Sequence, residues 1–187
     1  MLQETTIFDS LLGKLTGENV VRSSRVLGEL SGVFLNEEER SLMDPEQMVY
    51  EVQMHDSCGE VEGGLFFGVS HVLPGKVGNE YFMTKGHYHQ KRNCAEYYWG
   101  ISGDGFLLLM DESRECRAEK VFPGSLHFIA GHTAHRLVNT GETRLVVGAC
   151  WPSDAGHDYS TIQKEGFSMR VVDQDGKPTL VPQFAPK

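Results

Sequence analysis

The chain has 187 residues, 40% hydrophobic and 23% charged, an ordinary globular balance that makes one domain the default. Its formal net charge of −9 argues against nucleic acid as a partner, which needs clustered Lys and Arg, and disfavours anionic substrates unless a bound dication reverses the field locally. Met1-Leu2-Gln3-Glu4-Thr5-Thr6 lacks the basic and apolar regions of a signal peptide. No apolar run approaches the roughly eighteen residues of a membrane span, so a cytoplasmic protein without membrane partners is expected.

Residues 1–45 are polar and weakly patterned and read as an N-terminal extension packing on a main domain of residues 46–187. Within the extension, Glu37 to Met43 reads as a short helix with Asn36 as N-cap and acids in its first turn. Met48 to Met54 alternates as a strand. From Gly64 onward the chain is β-rich, with strands expected at Leu65–Leu73, Tyr81–His89, Ala95–Ile101, Gly105–Met110, Leu126–Ile129, His135–Asn139 and Leu145–Trp151. Turn signals at Gly103-Asp104-Gly105, Pro123-Gly124 and Thr140-Gly141-Glu142 separate them. Asp173 to Pro178 marks the turn of a last hairpin. Many short strands with regular turns argue an all-β sandwich or small barrel.

His87-Tyr88-His89, Glu96 and His135 carry the chemistry. Residues two apart on a strand share a face, so His87 and His89 can grip one ion from one strand. Glu96 returns on the next strand and His135 on a later one. Three imidazoles and a carboxylate that leave coordination positions open suit one Fe(II), Mn(II), Ni(II) or Zn(II) per chain, in a catalytic rather than a structural site. Cys94, two before Glu96, shares its parity but reads as a bystander. With no CxxC, the four cysteines (Cys58, Cys94, Cys116, Cys150) read as reduced thiols.

These residues resemble the cupin superfamily. Gly86-His87-Tyr88-His89, Glu96 and Gly103 match its first motif; Pro123-Gly124, His135 and Asn139 match its second. Within that superfamily, Pro74 to Gly78, Phe82 to His89 and Trp151 to Tyr159 look like the signatures of the cupin-type glucose-6-phosphate isomerases. The likeness runs from about Val49 to Gly166. Trp151 stands where that family commonly has tyrosine, Ala130-Gly131-His132 replaces a proline-rich approach to the fourth ligand, and Ser70 stands in place of threonine.

The resemblance implies a single-domain, jelly-roll-like cupin barrel and a homodimer, commonly formed by strand exchange near the N-terminus. It implies a metal-dependent aldose–ketose isomerase of glycolysis or gluconeogenesis, in which a metal can bind the two oxygens of an open-chain sugar phosphate. Glu96 is then the candidate base, His157 the shuttle between O1 and O2, and Tyr98, on the parity of Glu96, a group that orients the sugar. Tyr50, Ser70, Thr84, the Gly86 backbone and Tyr159 are the phosphate contacts the resemblance implies. Trp151 would line the pocket, where its indole donates one hydrogen bond and accepts none. Strict alternation from His87 puts Lys85, not Thr84, on the cavity face; a bulge at Lys85-Gly86 would admit Thr84.

Other residues read as structural: His55, His71, His127 and His132 as surface or satisfied core, Asp154, Asp158 and Lys76 as turn and surface. Proton transfer and hydride shift both fit the ligand set. An Fe(II) dioxygenase would use the same four ligands beside an apolar pocket. A non-catalytic sugar-phosphate binding module would bind without turnover.

Overall fold

The computed structural model describes residues 4–183; Met1, Leu2 and Gln3 of the opening stretch lie outside the described residues. In chain order the elements are β1 (Ile7–Asp9), β2 (Lys14–Thr16), β3 (Val20–Val26), α1 (Glu37–Leu42), β4 (Met48–His55), β5 (Leu65–Val72), β6 (Lys76–Val77), β7 (Glu80–Tyr81), β8 (Glu96–Ser102), β9 (Gly105–Asp111), β10 (Cys116–Val121), β11 (Leu126–Ile129), β12 (Thr133–Asn139), β13 (Leu145–Pro152), α2 (Ser160–Glu165), β14 (Met169–Gln174) and β15 (Lys177–Pro182). The architecture is the expected all-β cupin barrel, and no helix of the described residues is long and apolar enough to cross a membrane.

A six-stranded sheet, ordered β11-β8-β13-β5-β4-β3, forms one wall. A three-stranded sheet, β10-β9-β12, faces it, and β15-β14-β7-β6 forms a smaller sheet beside them. Register decides which side chains look inward. Tyr98 pairs with Ala149, Gly68 with Met54, Ser70 with Val52, and Val72 with Tyr50, so these share one face of the large sheet. On the opposite wall His135 pairs with Leu109 and Leu137 with Leu107. Leu107, Leu109 and Leu137 are essentially inaccessible to water, and each contributes roughly 1.5–3 kcal/mol by burial. They join the core cluster beneath the site, so packing and function share one cavity.

α1 begins as its sequence dictates: the Asn36 side chain accepts from the Glu39 N–H, three acids fill the first turn, and the Glu37 carboxylate bonds Arg40. The segment preceding it is more ordered than its polar sequence indicates. β3 pairs with β4 from Val20↔His55 to Val26↔Met48 and forms an edge of the large sheet. The last hairpin turns at Asp175-Gly176, both in the left-handed region.

One expected strand differs. Tyr81–His89 is not continuous: beyond β7 only single bridges form, Met83↔Val138, His87↔His135 and Tyr88↔Asp158. Gly86, with φ of 72°, breaks the pleat, and a side chain there would collide with the Phe167 ring at 2.6 Å. The alternation fails because the backbone passes too close to its neighbours to stay extended. β10 was not expected; its mixed, charged sequence Cys116-Arg117-Ala118-Glu119-Lys120-Val121 hides an edge strand that, among the described residues, pairs only with β9.

Candidate active site

His87 and His135 sit opposite each other across their bridge, exchanging backbone hydrogen bonds of 3.3 and 3.0 Å. Opposed residues of an antiparallel pair project to the same side, and their rings lie 4.3 Å apart. Glu96 opens β8 and reaches the same point from the facing wall. His89 stands behind them, buried, with its Nδ1 3.0 Å from the Cys94 carbonyl. One ligand atom each from His87, His89, Glu96 and His135 lies within 4.8 Å of all the others.

The donor set fits a metal ion on its own chemistry. His89 Nε2, His135 Nε2 and Glu96 Oε1 are buried and make no hydrogen bond. His135 Nε2 approaches Glu96 Oε1 to 2.6 Å, and His89 Nε2 to 3.6 Å, without usable bonding geometry. Buried polar atoms left so are costly, and a shared cation is the economical partner. Bonding of His89 Nδ1 to a carbonyl leaves the Nε2 lone pair aimed at the centre. Burial, and then the neighbouring imidazoles of His135, His157 and His89, push His87 well below the ordinary histidine range. Burial also lowers His89. Neutral imidazoles are the ligating form.

A cavity of about 270 Å³ opens beside this cluster, a small-molecule volume. Its floor is the inward face of the large sheet. Tyr50, Ser70, Tyr98 and Trp151 border it from the sheet, and Thr84, Gly86, His157 and Tyr159 from the loops. Every candidate substrate-facing residue of the sequence reading thus borders one cavity, and Lys85 does too. The irregular backbone at Gly86 is what brings Thr84 and Lys85 to it together. Thr84 Oγ1 accepts the Leu137 N–H at 3.1 Å, leaving its hydroxyl proton for another partner. Trp151 packs against Gly68, where a Cβ would meet the indole at 2.8 Å.

Burial pushes the Tyr50 hydroxyl up to about 12 and raises Tyr98 well above the tyrosine range, so both stay protonated donors. The His157 ring lies 4.4 Å from that of His87 and stacks on Tyr159 at 5.7 Å. Burial of that ring lowers its pKa. The loop that carries it is fastened: Asp158 bridges Tyr88 through backbone and takes Arg92, Ser160 and Thr161 on its carboxylate. Asp158, which reads from sequence as a turn residue, is therefore a fastening that holds His157 over the ligands.

Cys94 is absent from the ligand cluster and packs against the core. His71 bonds the Gly13 carbonyl, His127 bonds Glu119 and Ser125, and His132 pairs with Glu112, so these three are structural or surface residues. Ser23 and Arg25, on β3, also border the cavity. Sequence reasoning missed them: only their register against Val52 and Tyr50 reveals the face they share.

Fold and site together define a cupin in which His87, Glu96 and His135 border a cavity shared with Tyr50, Ser70, Thr84, Tyr98 and Tyr159, and His89 is buried behind them. The model of the family described as Glucose-6-phosphate isomerase (GPI) matches residues 24–183. The glucose-6-phosphate isomerase of Thermococcus litoralis is 42% identical over 162 residues, 86% of this chain and 85% of its own. That of Pyrococcus horikoshii is 41% identical over 166 residues, 88% and 87% of the two chains. A solved oxalate decarboxylase of Bacillus subtilis is similar at a TM-score of 0.46 and 20% identity, over 57% of this chain and 26% of that one. The chain belongs to the glucose-6-phosphate isomerase family.

Proposed function

We propose that this protein interconverts glucose 6-phosphate and fructose 6-phosphate by metal-dependent aldose–ketose isomerisation. The observation that carries the reading is the junction of a four-residue donor cluster, three of whose buried atoms lack a hydrogen-bond partner, with a small cavity bordered by hydroxyl side chains, in a chain of this family. His87, His89, Glu96 and His135 would hold one divalent ion, and we assign Fe(II), with Mn(II), Ni(II) and Zn(II) as substitutes. A metal there supplies Lewis acidity and a template for the two adjacent sugar oxygens.

The chain's own residues do the rest. Glu96 takes the proton from one carbon of the open-chain sugar and returns it to the other, through the carboxylate oxygen not engaged as a ligand. His157, above His87, passes a proton between O1 and O2. Tyr98 donates its hydroxyl to orient the sugar. Tyr50, Ser70, Thr84, the Gly86 N–H and Tyr159 hold the phosphate, and Trp151 closes the wall. We place the enzyme in the cytoplasm as a homodimer serving glycolysis or gluconeogenesis.

A coupled assay on metal-replete protein tests the reading. Sustained conversion of fructose 6-phosphate to glucose 6-phosphate supports it. Dioxygen consumption, or sugar-phosphate binding without turnover, would replace it with a cupin dioxygenase or a binding module.

A further inference from the structure

Arg136 neighbours His135 on β12 but faces the other way, out of the cavity and beneath Phe167, whose ring its guanidinium covers at 4.5 Å. It is 2% exposed. The carboxylate whose charge acts on it is already taken: Glu80 pairs with Arg170 at 2.5 Å. Among the described residues Arg136 itself makes no ion pair. A buried cation without a counter-ion is expensive, and packing alone does not explain it.

Its hydrogen bonds indicate what it does. Nε and Nη2 both donate to the Lys85 carbonyl, Nε at 3.2 Å. That carbonyl belongs to the Lys85–Gly86 peptide. The peptide is trans, so its N–H points opposite to its C=O. Arg136 borders a separate cavity of about 70 Å³, while Lys85 and Gly86 border both that cavity and the active one. With the carbonyl held towards Arg136, the Gly86 N–H is turned towards the active cavity. No intramolecular hydrogen bond of that N–H is found among the described residues.

We propose that Arg136 is a positioning residue for phosphate recognition: its buried guanidinium clamps the Lys85 carbonyl, which aims the Gly86 N–H at the substrate's phosphate and adds an uncancelled positive charge behind it. The proposal rests on the sugar-phosphate reading above and extends it. It also supplies a cationic element to a chain whose net charge repels anions.

Lys85-Gly86 is the one Lys-Gly step in the sequence. Lysine labelled at the carbonyl and glycine labelled at the amide therefore give a single carbonyl-filtered amide signal, that of Gly86. The experiment titrates inorganic phosphate into the zinc-loaded protein and follows that signal in the wild type, R136K and R136Q. Saturable movement of the Gly86 amide is expected in the wild type. R136K keeps the charge but loses the fork, and phosphate affinity should weaken at least about fivefold, with R136Q weaker still. KM for fructose 6-phosphate should rise in parallel, while kcat stays within about threefold and bound zinc is unchanged. An unresponsive Gly86 amide, wild-type affinity in whichever variant folds, or zinc loss in step with the weakening would overturn the proposal. If the wild type lacks isomerase turnover yet Gly86 responds in an Arg136-dependent way, the functional reading fails and this one stands.

Discussion

His87 and His135 form a hydrogen-bonded antiparallel bridge, and the bridge rather than a continuous strand is what sets two of the four candidate ligands side by side. Their backbones hold each other in register, with the two rings 4.3 Å apart. Such preorganisation keeps the cost of assembling the centre low.

His89 is anchored by the Cys94 carbonyl with its other nitrogen unsatisfied at the centre. His89→Ala should lose bound metal and isomerase activity together, which metal analysis and assay of the same sample will reveal. An active, metal-free variant would contradict the ligand assignment.

Glu96 has a ligand's position and, in our reading, a base's task. Glu96→Gln retains volume and one oxygen but removes the basic carboxylate. Turnover should fall by at least about a hundredfold, with substrate affinity changed far less. Turnover near that of the wild type would exclude Glu96 as the base.

Thr84 accepts the Leu137 N–H while bordering the cavity. Thr84→Val therefore has two expected effects: a higher KM, and a stability loss of about 1–3 kcal/mol from the N–H left unpaired. Steady-state kinetics and denaturant unfolding measure them separately. An unchanged KM would remove Thr84 from the phosphate site.

Tyr50 ionises in the folded chain at about 12, against about 10 for an exposed tyrosine. Between those values the unfolded chain has released a proton that the folded chain still holds. Stability should therefore decline as pH rises from about 10 to about 12. Tyr50→Phe should flatten part of that decline in unfolding measured across this range; an identical slope would contradict the burial-driven shift.

The sequence disclosed the site better than it disclosed the segment that bears it. The four candidate ligands are chemically conspicuous residues at telling spacings, whereas His157 and the phosphate-side tyrosines were legible only through the family resemblance. The break at Gly86 was legible as a conflict between Thr84 and Lys85 over one face, for which a bulge at Lys85-Gly86 was the expected resolution. β3 escaped notice because the polar run Arg22, Ser23, Ser24 and Arg25 at its centre carries no apolar alternation. Arg136 and Asp158, and the place of Arg25 at the cavity, were hidden for a related reason: they depend on which neighbours tertiary structure brings near, and no local pattern records that.

In our reading the cluster of His87, His89, Glu96 and His135 holds a metal on which sugar-phosphate isomerisation depends. EDTA-stripped protein should show no conversion of fructose 6-phosphate to glucose 6-phosphate, and added Fe(II), Mn(II), Ni(II) or Zn(II) should restore it, with one ion bound per chain. Full turnover in protein verified to be metal-free, or none with any ion in protein verified to bind it, would contradict the account.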